Sequence, residues 1–226
     1  MLTPRLAATM ALITGNTLAD IGTDHAYIPI EAIKQGFVSR AIACDIKKGP
    51  LAIARSNVEK NGLQTKIELR LGSGITPVSA GETETVVIAG MGGILISDIL
   101  DADSEKSHSF KEIILQPMNA QSELRKYLSE HGFRIVKEDL AVEGFKVYNI
   151  MRVINGCGDK YSEFESHIPT VLRSHKYFDV FLAKKKREFT KILTGLERAS
   201  ERDEQLIDYY KQLMDNLTDI ESGDKL

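Results

Sequence analysis

Residues 17–27 read Thr17-Leu18-Ala19-Asp20-Ile21-Gly22-Thr23-Asp24-His25-Ala26-Tyr27. An apolar run that closes on an aspartate and a glycine has the form of a buried strand ending in a tight turn. Pro29 lacks an N–H and is comfortable only in the first turn of a helix. The spacing therefore predicts a strand over 17–21, then a helix starting near Ala26 or later. Thr23, Asp24 and His25 stay in the loop between them, beyond the strand end.

The same arrangement recurs along the chain. Short runs rich in Ile, Val and Leu at 41–45, 67–71, 85–89 and 112–115 read as further strands buried on both faces. Helix signals separate them. Gly49-Pro50 opens a helix that ends near Asn61-Gly62, and Asn119 is placed to cap another running through Leu124 and Leu128 to Gly132. Strand and helix alternating in this way predict an α/β fold with a doubly wound parallel sheet. Segments 133–142 and 146–154, around Glu143-Gly144, read as two more strands in a hairpin.

The length of 226 residues suits one domain plus an appendage. Hydrophobic residues at 42% and charged residues at 27% exclude wholesale disorder. No apolar run approaches the roughly 20 residues of a membrane span. The first residues lack the basic and apolar regions of a secretory signal, so a cytoplasmic location is expected. Cys44 and Cys157 cannot build a disulfide framework and read as structural, and the scattered histidines predict no metal.

Net charge is −3, which excludes a generally basic nucleic-acid binder, but its distribution is uneven. Residues 173–191 carry seven basic and two acidic side chains, whereas 197–224 carry three basic and nine acidic. Such blocks can pair within the fold, lie solvated or reach for a partner. Beyond Gly156-Cys157-Gly158, apolar positions from Phe178 to Ile220 step by four and three. This heptad seam has Lys185 and Asp203 as its charged members. One long helix or two helices folded back near Ala199-Glu204 would present it. The expected boundary lies between 1–156, the sheet domain, and 157–226, a helical coiled-coil domain. The seam alone does not say whether this domain packs on the sheet domain, pairs with another chain or acts as an interaction arm.

In open parallel sheets, ligands bind beyond the carboxyl ends of the strands. The first strand offers Asp20 and the Gly22 turn, and the second ends in Asp45, placed to accept from ribose hydroxyls or to cap the next helix. The third runs into Gly72-Ser73-Gly74 and the fourth into Gly90-Met91-Gly92-Gly93. Only one glycine of the dinucleotide fingerprint is present. Two acidic strand ends, a glycine turn and a terminal hairpin suit S-adenosylmethionine better than NAD.

The blocks at 20–27, 88–93 and 115–117 together resemble the signature blocks of a bacterial family. It comprises the tRNA adenine-N1 methyltransferases that modify adenine 22 in the D-arm (TrmK). The resemblance extends over nearly the whole chain. It implies a class I, Rossmann-like methyltransferase fold with S-adenosylmethionine across the first four strand ends. Asp20 and Gly22 would lie beneath its methionine part, and Asp45 would hold the ribose. Gly72, Ser73 and Gly74 would flank the adenine. Gly90, Met91 and Gly92 would border the sulfonium and the target base. Asp45 stands where the family pattern has glutamate, and Ser73 where aspartate is common.

N1 of adenine carries a lone pair, so its methylation needs no prior deprotonation, whereas the product is cationic. Asp24 is therefore expected to stabilise the developing charge, with His25 and Tyr27 shaping the base pocket. A helix cap is the competing role for Asp24. Arg5, Arg173, Lys176, Lys184, Lys185, Lys186 and Arg187 form the expected tRNA footprint. Two other readings use the same residues: methylation of a small molecule or protein, and a noncatalytic coiled-coil interaction protein.

Overall fold

The computed structural model describes residues 2–158 and 160–222. The chain forms two compact units, 1–160 and 161–226.

In the first unit, α1 (Pro4–Ala11) precedes β1 (Thr17–Ile21), α2 (Tyr27–Lys34), β2 (Arg40–Asp45), α3 (Lys48–Lys60) and β3 (Ile67–Leu71). There follow β4 (Thr85–Met91), α4 (Gly93–Asp101), α5 (Ser104–Ser107), β5 (Glu112–Pro117) and α6 (Gln121–Glu130). The hairpin β6 (Phe133–Glu143) and β7 (Lys146–Asn155) closes the unit. The seven-stranded sheet has the order β3-β2-β1-β4-β5-β7-β6. Its first five strands are parallel, and β7 runs antiparallel to both β5 and β6. The five predicted strands and the terminal hairpin are all present.

The apolar runs are continuous because alternate side chains serve two cores. Leu18, Ala43, Val87 and Ile114 join the cluster on one face with Ile28 and Ala54 from α2 and α3. Ala19, Ile21, Ile88 and Leu115 join the other with Ile96 and Leu124 from α4 and α6. Winding reverses between β1 and β4, the adjacent strands from which the chain departs toward opposite edges. That reversal opens a crevice at their carboxyl ends.

Pro29 occupies the third position of α2, as its missing N–H requires, and Ala26 precedes the helix at φ 56°. Asn119 does not cap α6: Ala120, at φ 49°, takes the N-cap position without a side-chain bond. Close packing is the reason. The Gly93 N–H donates to the Asn119 carbonyl at 3.0 Å, which draws the 119–120 turn onto the start of α4. A Cβ on Gly93 would lie 2.2 Å from the Ala120 carbonyl oxygen.

The second unit contains α7 (Glu163–His167), a 3-10 turn (Thr170–Leu172), α8 (Phe178–Arg198) and α9 (Glu204–Ser222). Of the two arrangements compatible with the seam, the helices fold back on each other. Asp203, a seam position by spacing, accepts from the Leu206 N–H at 3.0 Å and begins α9. The restart shifts the buried face: Ile207, Leu213 and Leu217 are buried, whereas Leu206 is exposed. None of the described helices is long and apolar enough to cross a membrane.

Candidate active site

The carboxyl ends of β1 and β4 and the loop after β1 enclose a cavity of about 520 Å³. Asp20, Gly22, Thr23, Asp24, His25 and Tyr27 line one side and Ala89-Gly90 another. Leu2, Thr3, Arg5 and Leu6 complete it from the N-terminal segment. The loop is held by its neighbours. The N–H groups of Gly22 and Thr23 both donate to the Cys44 carbonyl at 2.8 Å, and Asn57 Nδ2 donates to the His25 carbonyl at 3.0 Å. Gly22 adopts φ +74°, and a Cβ there would lie 2.3 Å from Met91 Cε. The turn therefore needs glycine both for its backbone and for the approach of Met91.

Asp20 is buried at the cavity wall, where the Thr23 hydroxyl donates to Oδ2 at 2.6 Å. Burial raises its pKa to about 6, the Thr23 bond opposes the rise, and the nearby Asp45 adds to it. Burial also pushes the Cys44 thiol up to about 12, so it is no nucleophile at neutral pH.

Asp24, His25 and Tyr27 are brought together at the mouth. Asp24 sits at φ 49°, and its side chain is 63% exposed with Oδ2 3.2 Å from His25 Nε2. The His25 ring stacks on Tyr27 with centroids 5.1 Å apart and planes 14° apart. Asp24 does not cap α2, whose N-cap has no side-chain hydrogen bond. The loop presents a carboxylate beside a stacked pair of rings.

Of the other predicted cofactor residues Gly90 lines the cavity, whereas Asp45, Gly72, Ser73, Gly74, Met91 and Gly92 are not among its lining and lie at or just beyond the neighbouring strand ends. Asp45 is buried and accepts from the Lys47 N–H at 2.8 Å, so it does tie the turn before α3. Its carbonyl receives the Gly72 N–H at 3.0 Å, which joins the 72–74 corner to β2. Gly72 is needed for packing, since a Cβ would meet Pro77 at 2.3 Å. Gly74 adopts φ +51° beside Ile99, and Ser73 lies between these two glycines. Gly90 adopts φ +80° at a register shift between β4 and β5, and Gly92 caps α4 beside Asn119. Such a bulge re-aims a strand end.

Sequence reasoning names Arg5 as a tRNA contact and Gln116 as part of a signature block, but it finds neither the helix that carries Arg5 nor a site role for Gln116. The local signal for α1 is Thr3-Pro4, an N-cap followed by proline, with Thr3 Oγ1 accepting from the Leu6 N–H. Arg5 reaches the cavity from this helix and donates through Nη1 to Gln116 Oε1 at 2.7 Å.

In the second unit, Lys176 and Arg187 are exposed and Arg173 is half-buried. Lys184 lies 3.5 Å from Glu188, and Lys186 pairs with Glu221 at 2.6 Å. Lys185 departs from the expected footprint. It is buried, with Nζ 3.2 Å from Glu188 and 5.9 Å from the centroid of the Phe181 ring, because the seam turns it inward.

Residues 2–151 match the family model described as a methyltransferase domain. A Bacillus subtilis (strain 168) tRNA (adenine(22)-N(1))-methyltransferase is 35% identical over 172 residues, covering 76% of this chain and 70% of that protein. The structure of Streptococcus pneumoniae Sp1610 in complex with S-adenosyl-L-methionine matches with a TM-score of 0.86 and 34% identity. The match covers 96% of this chain and 99% of that one. M. capricolum TrmK in complex with S-adenosyl-homocysteine matches with a TM-score of 0.79 and 28% identity, covering 98% and 97%.

Proposed function

Because the chain belongs to the bacterial tRNA (adenine-22-N1)-methyltransferase family, we propose that it transfers a methyl group from S-adenosylmethionine to N1 of adenine 22 in the D-arm of tRNA. The observation that carries this reading is the cavity at the β1/β4 reversal. It has the Asp20-Gly22 turn in its wall and Asp24, His25 and Tyr27 at its mouth.

The residues present fit the cofactor. Asp20 and Gly22 line the cavity, and the buried carboxylates of Asp20 and Asp45 are acceptors at adjacent strand ends. Asp20 and Gly22 would hold the methionine part, Asp45 the ribose hydroxyls, and Gly72, Ser73 and Gly74 the adenine. Gly90, Met91 and Gly92 would border the methyl donor. When bound, S-adenosylmethionine supplies an electrophilic methyl on a sulfonium.

This chain's own task is then orientation and charge. The Tyr27 ring, 51% exposed at the mouth, offers a stacking face to a base swung out of the folded arm. His25 braces the ring by stacking on it, which leaves the opposite face for the base, and lies against Asp24. No residue need take a proton from N1. As positive charge develops on the adenine, the Asp24 carboxylate stabilises it.

Residues 1–156 are assigned as the catalytic domain and 157–226 as a tRNA-contacting arm, acting in the cytoplasm. Arg5 would contact tRNA at the cavity. Arg173, Lys176, Lys184, Lys186 and Arg187 would supply phosphate contacts on the arm. Unmodified tRNA incubated with labelled cofactor should yield N1-methyladenine, and changing adenine 22 to guanine should abolish the label. A labelled product that survives the base change would overturn the target assignment. No transfer to any tRNA would overturn the substrate.

A further inference from the structure

Gln116, near the end of β5, is fully buried, and its amide is constrained at both ends. Oε1 accepts from Arg5 Nη1 at 2.7 Å and from the Gly90 N–H at 3.2 Å, while Nε2 donates to the Pro117 carbonyl at 3.0 Å. Two donors facing one end and an acceptor facing the other leave a single amide orientation. One side chain thus ties α1 to the bulged end of β4.

Arg5 is the one lysine or arginine lining the cavity among the described residues, and its guanidinium also lies 5.6 Å from the centroid of the Tyr148 ring. Gln116 is neutral, so this bond orients the guanidinium without cancelling its charge. A glutamate at the same place would do both. A nucleotide brought to this cavity carries an aromatic base and an anionic phosphate. Tyr27 and Asp24 suit the base, which becomes cationic on methylation. Arg5 suits the phosphate.

We propose that Gln116 is a positioning residue that holds the Arg5 guanidinium to engage the backbone phosphate beside the target adenine. The inference rests on the tRNA methyltransferase function proposed above and specifies how its substrate is seated.

Four full-length proteins test it: wild type, Gln116→Met, Arg5→Met and the double variant. Methionine has similar volume and makes neither bond. Gln116→Met should raise KM for tRNA about tenfold, the loss expected for a hydrogen bond to a charged group. It should leave kcat and the calorimetric Kd for S-adenosylmethionine within about threefold. Arg5→Met should do the same and reduce the salt slope of tRNA binding by about 1. The double variant should be no worse than Arg5→Met alone, because Gln116 acts through Arg5.

Additive effects would overturn the proposal, as would a loss that falls on cofactor affinity. Gln116→Glu is the second variant should methionine disturb folding. It retains an acceptor for Arg5 and Gly90 but neutralises the guanidinium, so it too should raise KM for tRNA. An unchanged KM there would also overturn the proposal. Wild-type protein that neither binds nor methylates tRNA removes the proposed function and this inference together. An active wild type with additive variants removes the inference alone.

Discussion

Replacing Asp20 by asparagine should stabilise the cofactor-free protein at neutral pH and leave it unchanged in acid. The folded carboxyl titrates near 6 against an ordinary value of 3.8, because burial disfavours its charge. Between these values the folded state holds a proton that the unfolded state has released. Stability is therefore lost as pH rises through that window, and the loss is complete above about pH 7. A shift of about two units corresponds to about 3 kcal/mol. Asparagine cannot ionise, and its carbonyl can still accept the 2.6 Å bond from the Thr23 hydroxyl. For a unit of this size, 3 kcal/mol raises Tm by about 6–12 °C. Thermal melts of wild type and Asp20→Asn at pH 7.5 should differ by an amount approaching that figure, and the gap should close by about pH 4. A variant that melts lower than wild type at pH 7.5, or a gap independent of pH, would refute the reasoning. Calorimetry adds a functional readout. A cationic cofactor favours the ionised carboxylate, so wild-type affinity for S-adenosylmethionine should fall as pH drops below about 6. The variant should bind weakly without that dependence. A buried acid that costs stability when empty is the kind of strain a binding site retains.

Further outcomes follow from other parts of the structure. Arg125, 1% exposed, pairs with Glu138 Oε2 at 2.6 Å behind the hairpin, so Arg125→Met should cost about 3–5 kcal/mol in urea denaturation. Adding Glu138→Leu should recover part of that loss. Gly93→Ala places a methyl 2.2 Å from a carbonyl oxygen and should cost about 1–3 kcal/mol. Gly49→Ala near the start of α3 meets nothing within 4 Å and should stabilise by about 0.4–1 kcal/mol. Asp24→Asn should lower kcat about a hundredfold while changing stability by no more than about 0.5 kcal/mol. The reason is that its side chain is 63% exposed and asparagine tolerates the φ of 49°. An equal loss of kcat and stability would assign Asp24 to the loop's framework instead.

Where sequence and structure diverge, long-range contacts or packing outcompete a local signal. Asn119 is a good cap by type, yet the close approach of Gly93 turns its carbonyl toward α4 and gives the cap position to Ala120. The heptad spacing runs through Asp203 without a break, but a residue that can accept from a helix N–H also starts a new helix there. The resulting turn moves burial from Leu206 to Ile207. Lys185 belongs to a basic cluster in one dimension and to a helix interior in three.

The sequence by itself determined the strands and the acidic and glycine strand ends, because a strand buried on both faces demands a continuous apolar run and a tight turn demands glycine. It also bounded where α2 begins, since Pro29 has to fall within the first turn. Only the tertiary structure decided what closes the cavity. Arg5 and Gln116 lie 111 positions apart, and neither has a local pattern that names the other. Their bond exists because the sheet carries β5 beneath α1. Periodicity reports which face of an element is buried; which distant element covers it is settled when the layers pack.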